Sequence, residues 1–201
     1  MLYAGVRALS NAVARVEVLA VMLLIGLIPI LIVLNMIFRV FNHPIYWGDE
    51  ASILAMVWLS LIGTSLSFKK REAITVDLLN EIISSKILSL IFLTVSDVMV
   101  VIFGVTMVVI CYIWFDPVKL YSLGFNFTRF SEASFNFVYV ERTQTLSVAK
   151  FWVWLILPAI GASITLHGVS NLIGNFHDTD NGAKKVGATS EDFTTQEGVA
   201  R

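Results

Sequence analysis

The sequence predicts an all-α integral membrane protein with four transmembrane helices, and two observations predict it. Hydrophobic residues make up 57% of the 201 positions, with a mean hydropathy of +0.79. A soluble domain of this length has no interior large enough to enclose that much apolar surface. The apolar residues also gather into four runs, 18–38, 51–68, 87–115 and 151–173. Each reaches or approaches the roughly 20 residues that cross a hydrocarbon core.

The first run follows Arg7 and Arg15, as a signal peptide would. It is too long for a cleaved apolar region, and no small-x-small site follows at Arg39, so it reads as an uncleaved signal anchor. The second run is short and uncharged and opens on Trp47-Gly48-Asp49-Glu50. Acidic residues in a first turn favour the helix dipole, and Asp49 suits a cap. The alternative role for this group is a polar contact to another subunit. Ala51, Ala55 and Gly63 share a four-residue ladder that Leu59 interrupts, with Ser52, Ser60 and Thr64 alongside. Small residues let helix backbones approach closely in lipid.

Only Asp97 interrupts the third run. Residues 98–115 are long enough to span alone at about 1.5 Å per residue, which places Asp97 at the inner boundary. Cys111 has no cysteine partner and reads as packing. His167 interrupts the fourth run close to its end, where a lone histidine reads as a packed or hydrogen-bonded residue. Pro158, Gly161 and Gly168 shape that helix.

Lys and Arg distribution sets the orientation. Nine fall in the N-terminal segment, the second loop and the tail, against five in the first and third loops. Both termini are therefore expected in the cytoplasm. Phe38, Phe41, Tyr46, Trp47, Trp114, Phe115, Trp152 and Trp154 then form one outer interfacial belt. Residues 72–83 carry Ile74, Leu78 and Ile82 at helical spacing, with Asp77 on the polar side, as a helix on the inner membrane surface would. The outer loop, 116–150, is rich in phenylalanine and is expected to rest on the membrane or a partner. Residues 1–175 form the membrane domain, and 176–201 read as a disordered cytoplasmic tail.

No phosphate-binding glycine loop, metal cluster or serine elbow is present. The chain reads as neither an enzyme nor a cofactor binder, and a net charge of -1 points to no nucleic acid. Asn126-Phe127-Thr128 matches a glycosylation acceptor, a short pattern with little weight alone. Few polar groups lie deep enough to bind a charged solute.

Trp47-x-Asp49-Glu50, Trp58-Leu59, Gly63, Lys70-Arg71 and Val76-Asp77-Leu78, in that order, resemble the DctQ-like family. Its members are the small membrane subunits of tripartite ATP-independent periplasmic (TRAP) transporters. The specific overlap runs from Trp47 to Leu79. Members commonly carry a histidine where this chain has Ala73, so no role of that histidine transfers. The resemblance implies a multi-pass subunit of the bacterial inner membrane. Its partners would be a large membrane subunit and a periplasmic substrate-binding protein. It implies sodium-coupled uptake of a carboxylate such as sialic acid or a C4-dicarboxylate. Trp47, Asp49, Glu50, Ala55, Trp58, Gly63 and Asp77 become candidates for the subunit interface or the structural motif. Lys69, Lys70 and Arg71 sit where lipid headgroups are expected.

Two other functions compete. A self-sufficient small transporter or channel would use Asp97 and His167 as an ion relay. A membrane enzyme would use His167 and Asp77 at the inner surface, but the converging polar groups it needs are missing.

Overall fold

The computed structural model describes the backbone of residues 2–70 and 86–199, and the side chains of 3–70, 88 and 90–177. Four helices are long and apolar enough to cross a membrane. They are α1 (Leu2–Val40), α2 (Tyr46–Lys70), α3 (Lys86–Phe115) and a fourth in two pieces, α6 (Lys150–Trp154) and α7 (Ile156–Val199). Two short helices, α4 (Pro117–Ser122) and α5 (Phe127–Ser134), lie between α3 and α6. The chain is a multi-pass membrane protein.

Each expected transmembrane helix is present, and three extend beyond their apolar cores. The first begins at Leu2 rather than at residue 18, so Arg7, Arg15 and Glu17 all lie on it. The second gains one turn at its start, which puts Asp49 and Glu50 inside the helix. Hydropathy marks what lipid touches, whereas helix continues wherever backbone bonds persist, so charged ends are underestimated. The surface helix expected at 72–83, with Asp77, lies outside the described residues, as does Arg71. Helix α7 continues to Val199, through most of the stretch expected as a disordered tail, 176–201.

The fourth helix breaks at Leu155. Pro158 has no N–H for the carbonyl of Trp154 and its ring crowds that carbonyl, so the helix restarts with the proline in its first turn. Helix α3 packs along α7, α1 packs against α2, and α7 touches both members of that pair. Glycines set the α3–α7 approach. A Cβ on Gly104 would stand 2.5 Å from Thr165 Oγ1 and 2.8 Å from its backbone nitrogen. One on Gly168 would stand 2.8 Å from Val101. Backbones meet there as at small-residue crossings in lipid.

Residues 116–149 fold into a cap over one end of the bundle. Asp116 and Asn126 cap α4 and α5 by accepting from Lys119 N and Arg129 N, so Asn126 has a structural task. Cys111, Phe115, Leu120, Phe130, Val138 and Tyr139 form one core, with Phe151 and Trp154 packed on it. Phe130 is fully buried, and Phe127 stacks on Tyr139 at 5.4 Å. The last carbonyls of α3 lack helical partners. Tyr139 Oη donates to Phe115 O at 2.7 Å and Asn136 to Trp114 O at 2.6 Å. Burial, helped by the charge of Asp116, pushes the Tyr139 phenol above its ordinary pKa. The loop expected to lean on lipid or a partner thus has a core of its own, while Phe125, Phe135 and Phe137 remain exposed. The strand-like alternation at 135–139 forms no strand; the single β-bridge in this region joins Arg142 and Ala149.

Candidate functional site

Helix α2 is tied to the rest of the chain at both ends and in its middle. At the capped end, Asp49 accepts a short hydrogen bond from Asn35 Nδ2 and another from Arg39 Nη2 at 3.2 Å, both on α1. Asn35, itself buried, accepts from Ile45 N at 3.1 Å and so fixes the turn between α1 and α2. Asp49 therefore bridges two helices rather than capping its own.

Glu50 takes the cap. Its carboxylate accepts from Gln144 N at 2.8 Å, Thr145 N at 2.7 Å, Thr145 Oγ1 at 2.6 Å and Leu146 N at 3.0 Å. Three successive backbone N–H groups converging on one anion form a nest. The loop between Thr143 and Val148 is closed by their own hydrogen bonds. Two turns further along, Trp58 Nε1 donates to Val153 O at 3.1 Å. That carbonyl stands beside the break in the fourth helix, and the indole satisfies it.

Near the other end lies a buried polar knot. Glu17 Oε1 accepts from Ser65 Oγ at 2.7 Å and Ser163 Oγ at 2.6 Å, while Oε2 faces His167 Nε2 at 3.2 Å. His167 Nδ1 meets Ser10 Oγ at 2.8 Å, and Lys69 Nζ donates to Ser10 Oγ at 2.5 Å. One arrangement of hydrogens satisfies this chain: Nε2–H donates to Glu17 and the Ser10 hydroxyl donates to Nδ1. The knot joins α1, α2 and α7, and His167 is fully buried. Asp49 and Lys69 lie about 30 Å apart along α2, the thickness of a hydrocarbon core. Ser65 is one turn inside Lys69, so the knot sits just within the apolar layer and Lys69 at its edge. Asp97 is engaged separately, accepting from Asn175 Nδ2 at 2.8 Å.

The sequence-derived residues divide by direction. Asp49, Glu50, Ala55 and Trp58 face other parts of the same chain. Trp47 is half exposed, and a Cβ on Gly63 would meet nothing within 4 Å. The small-residue face is thus split: Ala55 packs inward, while Ser60, Gly63 and Thr64 lie toward the outside. Lys69 is drawn inward by Ser10, and Lys70 closes α2.

Sequence reasoning missed Glu17 and Asn35. Glu17 stands one residue before the apolar run, where a lone charge reads as flank. The available signal was the polar stripe Ser163, His167 and Ser170 on the last helix, which needs a polar answer from a neighbouring helix. Among the described residues no group of His, Cys, Asp or Glu is arranged to hold a metal ion.

A family model described as the DctQ component of tripartite ATP-independent periplasmic transporters matches residues 28–178. It covers the capped end and all of α2 but not residues 1–27, which hold Ser10 and Glu17. No curated protein matches the chain.

Proposed function

The chain belongs to the DctQ family of TRAP transporter components, and from that premise we propose that it is the fixed small subunit against which a large membrane subunit works. The observation that carries this reading is the inward use of α2. Its motif residues Asp49, Glu50 and Trp58 all bond to the same chain. They brace a wall, and their own polar groups are taken up within the chain. The outer face of α2, with Ile53, Val57, Ser60 and Thr64 exposed, is the surface offered to the large subunit, and Gly63 and Trp47 flank it. Small and apolar residues suit helix contact in lipid.

The finer parts of the proposal follow family membership. Sodium and an organic anion, a carboxylate such as sialic acid or a C4-dicarboxylate, are bound by the large subunit. A periplasmic binding protein delivers the anion near the cap. Both termini and the loop with Lys69 and Lys70 lie in the cytoplasm, with the chain in the bacterial inner membrane. Asp97 and His167 hold partners within the chain, which supports a structural role over an ion relay. A mild-detergent pull-down from native membranes, followed by mass spectrometry, tests the reading. A large polytopic subunit in near-equal amount is expected. A chain that emerges alone and passes solute in liposomes overturns it.

A further inference from the structure

Two cavities lie side by side on α1 and α7, the polar one at the end of the bundle opposite the cap and the apolar one running from there toward the cap. One, of about 290 Å³, is polar and is lined by Tyr3, Arg7, Asn11, Lys69 and Ser170 among others. The other, of about 480 Å³, is an almost wholly apolar groove lined by Val6, Val105, Val109, Ala162, Leu166 and Val169. Val6 and Arg7 are consecutive, as are Val169 and Ser170, so the cavities occupy adjacent faces of α1 and α7. Ala162, Leu166 and Val169 share one helical face and carry the groove about 10 Å toward the bundle's middle.

The polar cavity holds two cations, Arg7 and Lys69, among neutral polar side chains. Arg7 is exposed, held by Tyr3 Oη at 3.3 Å and lying over the Tyr3 ring. Lys69 has Ser10 as its partner. Among the described residues neither cation meets a carboxylate. Lys69 marks the edge of the apolar layer, by its distance along α2 from Asp49. A basic cavity at headgroup depth, beside an apolar groove leading inward, has the chemistry of a phospholipid: anion outside, acyl chain inside.

We propose that the phosphate of an acidic membrane phospholipid sits between Arg7 and Lys69, with one acyl chain in the groove of Val6, Ala162, Leu166 and Val169. The site holds whether or not the chain serves as a scaffold. A free phosphate ion shares the headgroup chemistry but makes no use of the groove.

The full chain is reconstituted in nanodiscs of mixed phosphatidylglycerol and phosphatidylcholine, released, and weighed intact by native mass spectrometry. One retained phosphatidylglycerol is expected. Arg7→Gln should lower retention about fivefold, the worth of one cation at a membrane surface, and Arg7→Lys should largely restore it. Ala162→Phe, which fills the groove without touching a cation, should lower it as well. Inorganic phosphate at millimolar concentration should not displace the lipid. Retention unchanged by both Arg7→Gln and Ala162→Phe overturns the site. Displacement by inorganic phosphate, with Ala162→Phe without effect, overturns the lipid and leaves a simple anion site. Thermal unfolding of each variant separates lost binding from lost fold, and the groove variant serves if Arg7→Gln fails to fold.

Discussion

Glu17 on α1 and His167 on α7 meet at 3.2 Å inside the bundle, both almost entirely removed from solvent. Each keeps the other satisfied where water is absent. Serines from three helices occupy the remaining hydrogen-bonding positions.

Removing one partner leaves a buried polar group unanswered, which is costlier than removing both. Glu17→Leu and His167→Leu should each destabilise the detergent-solubilised chain by about 3–5 kcal/mol. The double variant should lose clearly less than the sum. Thermal or denaturant unfolding of all four proteins checks this, and strict additivity would show that the pair is not coupled.

Glu50 holds the cap through three backbone amides, so its loss should show as local opening. In Glu50→Ala the amides of Gln144, Thr145 and Leu146 should exchange roughly tenfold faster or more. Those of α3 should be unaffected. Hydrogen exchange with mass spectrometry reads both regions, and equal protection of the 143–148 loop in the variant would refute the tie.

Two glycines should behave in opposite ways. Gly104→Ala drives a methyl group into the Thr165 backbone. It should destabilise the isolated chain by about 1–3 kcal/mol. Gly63→Ala meets open space within the chain and should raise its stability slightly, by up to about 1 kcal/mol, since alanine holds a helix better than glycine. Gly63→Leu should instead lower recovery of the large subunit in pull-downs, because that face is proposed to be covered only in the complex. Normal recovery would move the interface elsewhere.

Tyr139→Phe removes the donor to Phe115 O and should cost about 1 kcal/mol. The phenol's pKa is raised in the folded cap, so the folded state holds this proton more tightly than the unfolded state. Its contribution is complete below pH about 10 and declines as pH rises through the folded value. Ultraviolet titration should show a tyrosine that ionises above its ordinary range disappearing in the variant.

Much of this architecture was legible in the sequence, because lipid makes each crossing element announce itself as a long apolar run. The Asp49-Glu50 pair reads in the sequence as a helix cap or a contact to another subunit, whereas both carboxylates bond within the chain. Their partners were not legible. Glu50 binds amides 94 to 96 residues away, and backbone donors leave no mark in side-chain composition. Glu17 was hidden because hydropathy averages a lone charge into its flank. The cap's core was obscured by its phenylalanines, since an aromatic that packs inward and one that faces out read alike. Phe130 and Phe135 sit five positions apart with opposite fates.

The inward contacts of α2, at Asp49, Glu50, Trp58, Ser65 and Lys69, fall along almost its whole length. Advancing such a helix by one residue shifts it about 1.5 Å and turns it about 100°, which breaks every one of these contacts together. The helix therefore has a single height and a single azimuth. Under the proposed role, a partner on its far side would meet the same residues in the same order throughout a working cycle.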